Sequence, residues 1–120
     1  MLRRIYGDVR RIRPGTLEGY SAPFRMPGAF RYGLSVLRTW QQDLNELESV
    51  LPRIAHIPTL ILWGGLDNAV DPNSAEKLSE QFENSRLVML DGVGHLPYEE
   101  VPDEFNRTVK KFLAEVQPAF

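Results

Sequence analysis

Residues 58–90 constrain the fold more than any other stretch. Two short apolar runs, PTLILWG at 58–64 and RLVML at 86–90, stand apart by about the length of one helix. The first ends in glycine and the second in Asp-Gly. Runs of this length suit strands buried on both faces of a parallel sheet. Between them, Asn73 through Glu76 spell an N-x-x-E capping box. Ala75, Leu78 and Phe82 then mark the inner stripe of a helix. Strand, helix and strand over 59–90 make one right-handed crossover, which places the chain in the α/β class. A last helix is expected from Pro102, a residue suited to the first helical position. Phe105, Val109, Phe112, Leu113 and Val116 would line its inner face, and Pro118 would help to end it.

Residues 1–54 have another character. The stretch RPGTLEGYSAPFRMPG at 13–28 is punctuated by proline and glycine, so only a short helix fits, around Thr16–Ala22, with Thr16 as its cap. Farther on, Phe30, Leu34, Leu37 and Trp40 fall on one helical face of residues 29–40. Leu44, Leu47, Val50 and Leu51 do the same over residues 41–51. Both spacings are amphipathic and helical.

Composition narrows the partners. A chain of 120 residues is the size of one domain, and 42% apolar residues are enough for a core. There is no cysteine, hence no disulfide framework and no thiolate metal site. The net charge of −2 divides unevenly, about +4 over residues 1–60 and −6 over residues 61–120. Arg3, Arg4, Arg10, Arg11 and Arg13 supply the basic excess, but few aromatics interleave with them. A solvated face is the expectation, and no nucleic-acid partner. No apolar stretch approaches the roughly 18 residues of a membrane span, and MLRRIYG lacks the apolar core of a signal peptide. No membrane partner and a cytoplasmic location are therefore expected.

The chemistry is expected where the two strands end. Loops leaving parallel strands emerge at one edge of the sheet, where open α/β folds place their sites. GGLD at 64–67 leaves the first strand, and DGVGH at 91–95 leaves the second. Adjacent strands lie about 4.8 Å apart, so Asp67 and His95 can meet although 28 positions separate them. A buried carboxylate accepting from one imidazole nitrogen fixes the tautomer and stabilises the imidazolium formed at the other. The histidine would be the proton shuttle and the aspartate its orienting acid.

The stretch from Ile57 to Leu113 closely resembles the C-terminal segment of α/β-hydrolase-fold enzymes. That family shows P-t-L-x-x-x-G-x-x-D, a helix, a strand, and then G-x-G-H-x-x-x-x-E-x-P-x-x-F. The matching residues are Pro58, Leu60, Gly64, Asp67, Gly92, Gly94, His95, Glu100, Pro102 and Phe105. The resemblance implies that Asp67 is the triad acid and His95 the general base, with no cofactor and a small, apolar ester-like substrate. It implies a partial α/β-hydrolase fold. Residues 1–54 would be the helical lid, and residues 55–120 the last β-α-β-α portion of a parallel sheet. FRYGLSVLRTW at 30–40 is similar to an epoxide-hydrolase lid segment, but the tyrosine that polarises the epoxide there falls on Leu37. Tyr32, Tyr6 and Tyr20 remain as lid tyrosines.

What the histidine would deprotonate is missing. The family order is nucleophile, acid, histidine, with the nucleophile on a G-x-S-x-G elbow. GLSVL at 33–37 lacks the second glycine and lies in a helical pattern, and GYSAP at 19–23 fails likewise, so neither Ser35 nor Ser21 qualifies. The expectation is a longer hydrolase whose upstream part supplies the elbow and is needed for activity. Other sites fit less well. Zinc usually takes three protein ligands, and His56 and His95 are the only histidines. DGVGHLP departs from G-x-G-x-x-G at Pro97. Glu99 and Glu100 are neighbours and cannot flank a scissile bond. Glu100 is expected to brace the helix at Pro102 and Asp71 the helix at Asn73, while Asp91 lies too close in sequence to His95 to take the place of Asp67. Three readings stand: a serine hydrolase, a relative with an aspartate nucleophile such as an epoxide hydrolase or haloalkane dehalogenase, and a non-catalytic binding module that offers its strand edge.

Overall fold

A computed structural model describes residues 2–116. A short helix, α1 (Leu2–Ile5), leads through a single 3-10 turn (Val9–Arg11) to α2 (Thr16–Ser21). A second 3-10 turn (Ala22–Arg25) follows, and then a long helix, α3 (Ala29–Ile54). The strand β1 (Thr59–Gly64), the helix α4 (Asn73–Ser79) and the strand β2 (Ser85–Leu90) come next. A one-turn helix, α5 (Pro97–Glu100), and α6 (Pro102–Val116) complete the order.

The two strands are parallel, paired from Thr59 with Ser85 to Gly64 with Leu90. They therefore end side by side, which brings the Gly65 and Asp91 loops out at the same edge. The pairing continues past the strands: Gly65 N–H donates to Leu90 O at 2.9 Å and Leu66 N–H to Val93 O at 2.8 Å. An ion pair between Arg86 and Glu115 ties β2 to α6.

Several sequence expectations are corrected. Thr16 is the first helical residue rather than a cap; Gly15, at φ 83°, precedes it in the left-handed region that favours glycine. The segments 29–40 and 41–51 run together as one helix of 26 residues, because no glycine or proline stands between Gly33 and Pro52, which lies in the last turn. Residue-to-residue bonds four apart support its polar face, from Gln41 to Asn45 and from Gln42 to Glu46. The N-cap position of α4 is Pro72, and Asp71 closes the turn before it: its Oδ1 accepts from the Asn73 N–H at 3.0 Å and from the Asn73 side chain at 2.9 Å. Asn73 therefore spends its amide on Asp71 and is not the cap itself.

Burial also differs. The strands are not enclosed on both faces, for only Ile61 and Gly64 of β1 and Leu90 of β2 are buried. On α6, Phe105, Val109 and Phe112 are half-buried while Leu113 and Val116 are exposed; Pro118 lies outside the described residues. The buried apolar side chains gather instead around the loop after β2: Leu90, Val93 and Leu96, with Tyr6 from the N-terminal segment. Val93 is the largest side chain that is fully enclosed. No helix of the described residues is long and apolar enough to cross a membrane.

Candidate active site

The site is built by two turns held against each other. Asp67 closes the turn after β1, where its own N–H donates to Gly64 O at 3.2 Å. Its side chain is almost fully buried, and its two oxygens divide the work. Oδ1 accepts from the Ala69 and Val70 N–H groups at 2.8 and 3.0 Å. Oδ2 lies 2.9 Å from His95 Nδ1. Burial works to raise the Asp67 pKa, but the His95 bond and the two backbone N–H groups outweigh it, and the carboxyl is held below the usual carboxylate range. An ionised carboxylate only accepts, so Nδ1 carries the proton and Nε2 is left with its lone pair.

The His95 side chain is 39% exposed. Its ring stands at a cleft of about 310 Å³ lined by Leu62, Trp63, Gly64, Asp67, Val70, Pro97, Tyr98 and Phe105. Apart from the Asp67–His95 pair, the walls are chiefly apolar. A larger cleft of about 470 Å³ lies beside it, lined by Tyr6, Arg11, Arg13, Thr16, Tyr20, Tyr98 and Glu99 among others. That cleft holds neither histidine nor serine, whereas the smaller one is lined by the Asp67–His95 pair.

Close backbone approach explains the glycines. A Cβ at Gly64 would strike the carbonyls of Val93 and Gly94, and one at Gly94 would strike Gly7 N and Ile5 O. A Cβ at Gly7 would lie 2.7 Å from Gly94 N. Three backbone segments thus stack with no side chain between them: the end of β1, the His95 loop and residues 5–7. Gly92 adds a turn at φ 67°.

Glu100 was expected to brace the helix at Pro102, and it does something else. Its side chain is wholly buried. Its carboxylate accepts from Gly94 N–H at 2.7 Å, from Gly7 N–H at 3.0 Å and from Asp8 N–H at 3.2 Å. Arg11 Nη1 lies 3.3 Å away and also donates to Gly92 O at 2.9 Å. The neighbouring Glu99 accepts from the hydroxyls of Tyr6 and Tyr20. The only prior sign of this clasp was the glutamate of the motif itself; the N–H groups that it serves carry no side-chain pattern.

The remaining candidates separate cleanly. Ser35 lies on exposed α3, and the Ser21 hydroxyl donates to Glu18 O at 3.2 Å; neither lines the cleft. Asp91 is exposed, and Asp67 rather than Asp91 reaches His95. His56 is exposed ahead of β1. Among the described residues, no three His, Asp or Glu side chains gather as a metal would require.

Comparison with known proteins gives consistent matches. The alpha/beta hydrolase fold family matches residues 18–102. Epoxide hydrolase 1 of Caenorhabditis elegans is 28% identical over 102 residues, covering 84% of this chain and 24% of that protein. The pimeloyl-[acyl-carrier protein] methyl ester esterase of Nitrosospira multiformis is 30% identical over 109 residues, covering 88% of this chain and 38% of that protein. The crystal structure of a bacterial membrane phospholipase A superposes with a TM-score of 0.75 at 27% identity, over 98% of this chain and 37% of that one. The chain thus spans between about a quarter and two fifths of the length of these relatives.

Proposed function

Because the chain belongs to the alpha/beta hydrolase fold family, we propose that it carries the acid and the base of a hydrolase acting on a small apolar ester. His95 Nε2 takes the proton of a serine supplied by chain upstream of residue 1. Asp67 holds the other ring nitrogen and stabilises the imidazolium as it forms. The same proton then passes to the leaving alcohol. Residues 1–54 serve as a lid over the substrate, and the apolar walls of the cleft receive its acyl or alkyl portion. The observation that carries this reading is the 2.9 Å contact between Asp67 Oδ2 and His95 Nδ1, with the far edge of the ring open to the cleft.

The test is hydrolysis of a chromogenic short-chain ester by the reading frame extended upstream of residue 1. His95→Ala is expected to abolish turnover. Asp67→Asn is expected to lower kcat by about 10⁴, as in the worked triad. Ordinary rates in either variant refute the assignment.

A second reading, an aspartate nucleophile that opens an epoxide, draws on the epoxide hydrolase similarity. The lid tyrosines count against it. Tyr6 and Tyr20 commit their hydroxyls to Glu99, and Tyr32 is exposed on α3.

A further inference from the structure

We propose that Glu100 is a positioning residue for His95, acting through the backbone on both sides of the ring. The inference rests on the reading of His95 as the base. Two contacts fix the peptide that carries His95. The Gly94 N–H, just before it, donates to Glu100 at 2.7 Å, and the His95 N–H donates to Ile5 O at 2.7 Å. Ile5 is in turn held by the same carboxylate, because Gly7 and Asp8 donate their N–H groups to it. Glu100 is therefore the common acceptor of two segments that meet at His95. Among the described residues, Arg11 adds a second link by bridging Glu100 and Gly92 O.

Burial makes this arrangement demanding. The Glu100 side chain has no access to solvent, so no water replaces it as acceptor for the Gly94, Gly7 and Asp8 N–H groups. The glycine stack removes any slack: Gly7 and Gly94 approach so closely that a single methyl group does not fit. A shift of residues 5–8 must then carry the His95 loop with it. A displacement on the order of 1 Å at a catalytic group costs about a hundredfold in rate, so the clasp sets how well Nδ1 meets Asp67. Residues 5–8 also lead into α2 and α3, which couples the pose of the helical segment to the pose of the base.

The test reads the ring itself. The imidazole nitrogen resonances of His95 are recorded in the 15N-labelled 120-residue chain, with His56 as the internal reference. Glu100→Gln keeps one acceptor oxygen but turns an NH2 toward the Asp8 N–H and Arg11. The expected result is a loss of the single Nδ1–H tautomer and about tenfold faster exchange of its proton with water, with His56 and the β1–β2 amides unmoved. Gly7→Ala keeps the Glu100 carboxylate and adds only a methyl group against Gly94, and it is expected to move the same His95 signals. Arg11→Met, at a partly exposed position that tolerates the change, is expected to move them less. Glu100→Ala should exceed Glu100→Gln.

Unchanged His95 signals in Gly7→Ala and Glu100→Gln, with the Gly7 and Gly94 amides shifted, overturn the proposal: Glu100 would then hold the segment without orienting the ring. If Glu100→Gln does not fold, unchanged His95 signals in Gly7→Ala and Arg11→Met overturn it equally. The ring signals are independent of turnover, so full activity in His95→Ala would strike the reading of His95 as the base, whereas the ring signals alone decide whether Glu100 orients the imidazole. In the extended reading frame, Glu100→Gln is expected to lower kcat about tenfold with KM unchanged, the pattern of lost transition-state alignment.

Discussion

Asp67 shows how one side chain serves folding and chemistry together. Oδ1 closes the turn on Ala69 and Val70 while Oδ2 holds His95. Asp67→Ala removes both sets of bonds to the charged carboxylate, so a loss of about 2 kcal/mol is expected in urea unfolding. The pH dependence has a definite sign. The folded carboxyl titrates below its unfolded value of about 3.9. The ionised group stabilises the fold in full above that value, and the contribution fades as pH falls through the lower folded one. Urea midpoints of the wild type should therefore drop on the acid side, while those of Asp67→Ala stay flatter; parallel acid limbs would contradict this. Tyr6 has the opposite sign. Burial, and then its bond to Glu99, push its pKa up to about 12. Its contribution is present below about 10, the unfolded value, and is lost as pH rises through 12. Tyr20, bonded to the same Glu99, is also raised, so phenolate absorbance should show these two tyrosines titrating late, and Glu99→Gln should bring both earlier. Asp67 and His95 were legible in the sequence because each sits on a motif at a strand end. Glu100 was legible as a motif letter but not as an acceptor, because its partners are backbone N–H groups contributed by residues 92 and 93 positions away.

The elements that position the site were the readable ones. Two apolar runs with a helix between them specify a parallel pair, and the pairing of Gly64 with Leu90 then sets Asp67 beside the His95 loop. What periodicity misses is the irregular chain. The single turn Pro97–Glu100 and residues 5–8 have no repeat to detect, yet they flank the His95 backbone. Burial of the strands was overestimated for a related reason: an apolar run says that a surface can be covered, not that a neighbour is there to cover it. Two adjacent glycines test the packing at the end of β1. A Cβ on Gly64 would collide with the Val93 and Gly94 carbonyls, whereas the nearest atom to one on Gly65 is Leu90 O at 3.5 Å. Gly64→Ala is expected to cost about 3 kcal/mol, a fall in melting midpoint of about 10 °C or more. Gly65→Ala should be near neutral in the same scan. Equal effects at the two positions would mean that the loops do not meet as closely as the stack requires.

The whole molecule buries less than its sequence offers. Its radius of gyration is 16.9 Å, whereas a compact domain of this length is expected near 13.6 Å, to order of magnitude. The excess lies largely in α3, in which no residue is buried. Leu34, Leu37, Trp40, Leu44 and Leu47 repeat at helical spacing, so the stripe was plain in the sequence; its covering surface was not, because periodicity fixes a face without naming what lies against it. Here Leu37 is 71% and Trp40 57% exposed. Beside them, among the described residues, the two-stranded sheet leaves each strand with an edge that no other strand pairs. A continuous apolar face and an open edge both favour association. The isolated chain is therefore expected to form concentration-dependent oligomers in light scattering and to bind a hydrophobic dye. Replacing Leu37 and Trp40 together by lysine should shift it toward monomer and reduce dye binding. The fold should survive, since neither side chain is buried and the helix keeps its polar-face bonds. The Asp67–His95 contact should survive too, because it depends on loops that α3 does not touch through either residue. A wild-type chain that stays monomeric and dye-silent at every concentration would show that the stripe is covered in solution by a rearrangement of α3, and the exposed helix described here would have to be abandoned.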